Sequence, residues 1–70
     1  MTAATFDTDL ADILADAAVG WTSDAQCRHA CDALDTVAGL DLLRSRLVRG
    51  GLITGSRAAL IDARRKAVTL

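Results

Sequence analysis

Four stretches of helix-period apolar residues fill almost the whole of this chain, and glycines rather than prolines separate them. Gly20, Gly39, the Gly50–Gly51 pair and Gly55 each sit just past such a stretch, where a helix end favours a residue that can turn left-handed. No proline occurs, and nothing in the chain shows the strict alternation of a strand, an internal repeat or a linker. Seventy residues leave room for a single helical domain, 1–70. The expected fold is all-α: a compact bundle of four short helices over about 7–19, 24–38, 41–49 and 56–69.

Each helix carries its own signals. The first is expected to start at Asp7 or Thr8, with its early acids at the positive end of the helix dipole. Leu10, Ile13, Leu14 and Ala17 share its apolar face. Ser23 and Gln26 have the spacing of a capping box for the second helix. Cys27, Ala30, Cys31, Leu34, Val37 and Ala38 then fall on one arc, which predicts a helix ending near Gly39. The third helix is expected to point Leu40, Leu43 and Leu47 inward, leaving Leu42 between Arg46 and Arg49 on another face. Leu52 and Ile53 in the following turn should plug the end of the core. Thr54 or Ser56 should cap the fourth helix, whose apolar stripe is read as Leu60, Ala63 and Ala67, with Ile61 and Val68 beside it. Arg57 and Arg64 interrupt that apolar arc, while Arg65 and Lys66 lie on the polar side.

Charge is sorted along the chain. Residues 1–35 hold seven Asp and one base, Arg28; residues 36–70 hold six Arg and Lys66 against Asp41 and Asp62. The halves therefore carry −6 and +5, although the whole sums to −1. Either they neutralise each other on folding or they face different partners. Asp9, Asp12 and Asp16 stand side by side at helical spacing and repel one another, so something basic should face them. Arg57 and Arg64 are the expected counterparts, within one chain or across a dimer, because a partly buried guanidinium wants a carboxylate or a phosphate. Arg57, Arg64, Arg65 and Lys66 are thus charge-pairing residues or, on the alternative reading, nucleic-acid contacts.

Catalytic and metal chemistry find no foothold. Cys27-Arg28-His29-Ala30-Cys31 looks like a metal cluster, but on a helix His29 points away from the two thiols and no other Cys or His exists. Two ligands fall short of a structural zinc site, so the cysteines are expected to be reduced, buried and metal-free. The i, i+4 pair is poorly oriented for a disulfide. The glycines lack the spacing of a phosphate loop, and no nucleophile motif accompanies His29. Helix 41–49, a glycine turn and helix 56–69 invite comparison with a DNA-binding helix-turn-helix, but the small, glycine and apolar positions do not align. Residues 47–54 resemble helix–loop–helix segments in the N-terminal modules of secretion-system ATPases; no second copy follows, and the resemblance carries no function here.

Only Phe6 and Trp21 are aromatic, and alanine supplies much of the apolar count. A core this thin favours self-association or docking. The expected function is a small non-enzymatic accessory or regulatory protein that binds a protein partner or itself, without a cofactor, metal or small-molecule substrate, through Leu42, Arg46 and Arg49. The alternative is a small DNA-binding regulator using the two basic helices. No basic leader and no apolar run of roughly 20 residues is present, so no signal peptide or membrane span is expected, and the cytoplasm is the expected location. Abundant Ala, Arg and Asp with a single Lys suggest a GC-rich genome, such as that of an actinobacterium or one of its phages.

Overall fold

The computed structural model describes the backbone of residues 3–69 and the side chains of residues 6–69. It is an all-α bundle: α1 (Ala3–Ala17) runs into a 3₁₀ turn (Ala18–Gly20), followed by α2 (Asp24–Ala33), α3 (Val37–Arg49) and α4 (Gly55–Thr69). Helix α3 lies at the centre. It packs most extensively on α1 and also contacts α4, while α2 packs on α4. No helix among the described residues is long and apolar enough to cross a membrane.

Local chemistry sets most of the ends. The Gln26 side chain accepts from the Ser23 N–H at 3.0 Å, closing the start of α2 as the S-x-x-Q pattern predicts. Thr54, not Ser56, caps α4: its hydroxyl accepts from the Arg57 N–H at 3.1 Å. Helix α3 stops in a Schellman turn. Gly51 takes a left-handed φ of 70°, the Gly51 N–H reaches the Val48 carbonyl at 3.1 Å, and the Leu52 N–H reaches that of Leu47 at 2.8 Å.

One boundary differs from the sequence expectation. The second helix does not continue to residue 38. It ends at Ala33, the chain becomes extended at Leu34, and α3 begins at Val37. Thr36 caps this new start by accepting from the Gly39 N–H at 3.1 Å. Gly39 is therefore an early residue of α3 rather than the end of α2. Its glycine identity has another cause: a Cβ there would stand 3.0 Å from the Asp7 Cβ, so α1 crosses α3 too closely for a side chain. Leu34 still reaches the core and is fully buried, but from extended backbone.

The face of α1 also differs. Among its described side chains, the buried ones are Asp7, Ala11 and Ala15, with Ala18 just beyond. These follow an i, i+4, i+8 spacing of mostly small side chains, which lets α1 sit close on α3. Leu10 and Leu14 are half-buried on the flank of that contact. Ile13 is 65% exposed and Phe6 58%. The helix is turned by about one residue, roughly 100°, from the orientation that its largest apolar residues suggest. It also begins four residues earlier than expected, at Ala3, so Asp7 lies inside it. In α4 the core residue is Ile61; Leu60 is half-buried, and Ala63 and Ala67 face outward instead of forming the apolar stripe. Around these elements Leu34, Leu40, Leu43, Leu47, Ile61 and Cys27 form the fully buried centre, with Trp21, Leu52 and Ile53 packed against it.

Candidate partner-binding surface

The charged side chains divide into those that hold helices together and those that face outward. Asp7 is the clearest of the first group. It is 3% exposed, and one carboxylate oxygen accepts from both the Asp35 and Thr36 N–H groups at 2.7 Å each. These are orphan donors at the start of α3, where helix geometry favours an anion. The sequence reading placed Asp7 at the dipole end of its own helix; it serves a different one.

Arg64 performs the opposite task at the same corner. Its Nε donates to the Cys31 and Leu34 carbonyls at 3.2 Å each, and one terminal nitrogen donates to the Asp35 carboxylate at 3.1 Å. The carbonyls that end α2 thus meet a cation, as the negative end of a helix dipole favours. Arg57, with a side chain 13% exposed, donates to the Leu52 carbonyl at 2.6 Å and sits 5.3 Å over the Trp21 ring. Its Nε lies 3.8 Å from Asp24 but has no hydrogen-bond partner.

The expected pairing of Asp9, Asp12 and Asp16 with Arg57 and Arg64 is therefore corrected. Asp12 and Asp16 share Arg46, one guanidinium nitrogen to each carboxylate, with Asp16 at 2.7 Å. Helix α3 is the nearest neighbour of α1, whereas Arg57 and Arg64 project from α4 toward α2 and the loops. Asp9 has no partner among the described residues. Arg65 pairs with Asp41 and Arg44 with Asp62, both exposed. Among the described residues, four of the six ion pairs join the acidic half of the chain to the basic half.

Leu42, Arg46 and Arg49 do not form the exposed contact that the sequence suggested. Leu42 is half-buried against the core. Arg46 is held by its two aspartates. Arg49 is exposed and lines a shallow groove with Ala15, Asp16, Val19, Arg46 and Leu52. Lys66 is exposed at the outer side of α4 and has no ion pair among the described residues.

Cys27 and Cys31 are free and buried. Burial pushes the Cys31 thiol up to about 12, with the neighbouring Cys27 adding to the shift. Cys27 is raised as well, again by burial. A reactive thiol needs the reverse, a thiolate favoured by a positive and accessible setting. No group of three or more potential metal ligands occurs among the described residues, and His29 is exposed.

The feature that sequence reasoning missed is the outward strip of α1. Phe6 and Ile13 lie seven residues apart, hence within about 20° of each other on the helix. Between and beyond them come half-buried Leu10 and exposed Ala17. The spacing Phe6-Leu10-Ile13-Ala17 runs four, three, four, as in the seam of a two-helix contact. Leu14 bounds the strip on the side of the core; Asp9 and Asp16 bound it on the other. Single exposed apolar residues are commonplace, whereas a strip along three turns of one helix is a candidate interaction surface. The signal was present in the sequence. It was read as core because a second pattern, Asp7-Ala11-Ala15, which packs against α3, consists of residues too small or too polar to look like a core face.

The chain matches no protein-family model, no curated protein and no solved structure. Its functional reading rests on its own residues.

Proposed function

We propose that this protein is a small non-enzymatic helical accessory or regulatory protein that acts by binding another protein, with α1 as its docking helix. The observation that carries the reading is the outward strip of Phe6, Leu10, Ile13 and Ala17 on a helix whose opposite face is already packed. A regular seam of this kind fits the face of a partner helix. The two buried, free cysteines suit a reducing compartment such as the cytoplasm.

The arginines lend less support to a nucleic-acid role. Arg46, Arg57 and Arg64 are engaged inside the fold with carboxylates or carbonyls. Arg28, Arg49 and Lys66, which have no ion pair among the described residues, belong to three different helices. A nucleic-acid face gathers its cations on one surface.

The test is site-specific photo-cross-linking in the cells that make the protein, with the reactive residue installed at position 13 and, as a control, at position 66. A discrete protein adduct from position 13 and none from position 66 is the expected result. Equal adducts from both, or none from position 13, would overturn the reading. So would binding of the purified protein to duplex DNA with the steep salt dependence of phosphate contacts.

A further inference from the structure

The geometry points to a specific partner chemistry for this strip: a basic amphipathic helix of another protein, its apolar seam laid on Phe6, Leu10, Ile13 and Ala17 and its cationic flank along Asp9 and Asp16. The inference rests on the protein-binding reading above and adds the nature of the occupant. The two edges of the strip decide it. One edge rises through half-buried Leu14, which packs against the core. The other is acidic: Asp9, Asp12 and Asp16 stand there, and Arg46 neutralises part of the charge by pairing with Asp12 and Asp16. Asp9 is exposed and has no partner among the described residues, although it lies within one turn of Asp12, which Arg46 holds. Arg49 lies beyond the far end of the strip, in the groove beside Val19. A docked helix therefore meets apolar side chains along its middle and carboxylates along one flank, and cations on that flank complete the match.

A second copy of this chain fits poorly. In an antiparallel pairing of two α1 strips, the acidic edges face each other and like charges repel. In a parallel pairing, Asp9 and Asp16 face the Leu14 side of the second copy, which removes carboxylates from water without supplying a cation. The outward face of α4 is no better, because Ser56, Ala59, Ala63 and Ala67 are small and the one large apolar side chain beside them, Leu60, is half-buried in a groove against α2. An anionic membrane surface would be repelled by the same acidic edge.

The probe is a synthetic helical peptide about three heptads long, with leucine along the seam and lysine and arginine on both flanks. Its charge-reversed twin carries glutamate on the flanks. Binding to the intact protein is read by fluorescence anisotropy of the labelled peptide. The basic peptide is expected to bind and the acidic one to fail. Ile13→Asp should weaken binding by about tenfold or more, as loss of a central apolar contact does. Asp9→Lys should weaken it by about two- to fivefold, the range of an exposed ion pair, and added salt should erase the difference between Asp9→Lys and the parent. Both positions are exposed, and circular dichroism of each variant checks that the fold is kept. Equal binding of the two peptides, unchanged affinity in Ile13→Asp, or no binding of the basic peptide would overturn the inference. A dimer in sedimentation that Ile13→Asp dissolves would overturn it too, by giving the seat to a second copy. None of these results bears on cross-linking from position 13, which tests protein binding whatever the partner's charge.

Discussion

Two regions of this small bundle use the same kinds of residue for opposite ends. At the corner between α2 and α3, residues 34–36, an aspartate from α1 and an arginine from α4 converge on backbone groups. Asp7 satisfies N–H groups that start one helix, and Arg64 satisfies carbonyls that end the other. Charge there is turned inward. Along the outer face of α1, Phe6 and Ile13 are left in water, and Asp9 stands beside them without a counterion among the described residues. The contrast teaches that neither charge nor hydrophobicity alone says which side faces the core. Helix α1 turns its small residues and one acid inward because close approach to α3 and two backbone donors await them there.

The corner can be broken most severely through Asp7. Asp7→Ala leaves two part-buried donors without their charged acceptor and should cost about 2–3 kcal/mol in denaturant unfolding, within the range for hydrogen bonds to ionised groups. Gly39→Ala should come next, at about 1–3 kcal/mol, because the new methyl meets the Asp7 Cβ at 3.0 Å and its Oδ2 at 3.2 Å, and α1 must shift to admit it. Arg64→Ala is expected to cost about 1–2 kcal/mol by uncapping α2. Arg65→Ala, which loses one exposed pair with Asp41, should stay within about 0.5 kcal/mol of the parent. Thermal melts of the two arginine variants side by side sharpen the comparison; equal melting temperatures would remove Arg64 from its place at the corner.

Smaller and condition-dependent is the effect of the thiols. The folded state holds Cys31 protonated up to about 12, whereas the ordinary value is 9.0. Above that ordinary value the unfolded chain releases its proton first, so folding stability falls as pH rises from about 9 toward 12 and is unaffected below that window. Denaturant melts of the parent and of Cys31→Ala across this range check the sign: the parent should lose stability more steeply than the variant. The same burial predicts slow alkylation of both thiols at neutral pH in the folded protein and fast alkylation in denaturant.

The local features of this fold were legible in the sequence and the long-range ones were not. Ser23 with Gln26, Thr54, and the Gly50–Gly51 turn act within four or five residues of themselves, so their spacing announces them. The break at Leu34 was hidden because Leu34 continues the apolar arc of Cys27 and Cys31, although it reaches the core from extended backbone. Thr36 carried the cap signal for the new helix, and Gly39 masked it by resembling a helix end. Asp7 meets partners 28 and 29 residues away, and no local pattern reveals such a contact. Arg57 and Arg64 stood out as cations on an apolar arc, yet their partners are mainly carbonyls and a ring, which sequence spacing does not encode. The outward strip of α1 was visible as a periodicity but assigned to the inside, because two faces of α1 both repeat at helical spacing and only packing against α3 chooses between them.

That choice is open to a single measurement. Asp substitution at Ile13 and at Ala11, two residues apart, places the same charge on opposite sides of α1. With the strip facing outward, Ile13→Asp should unfold in denaturant within about 0.5 kcal/mol of the parent, as surface substitutions do. Ala11→Asp buries an unpaired carboxylate at a fully enclosed position and should cost about 3 kcal/mol or more. A severe loss of stability from Ile13→Asp with little from Ala11→Asp would show Ile13 to be core, and would leave α1 without a docking face.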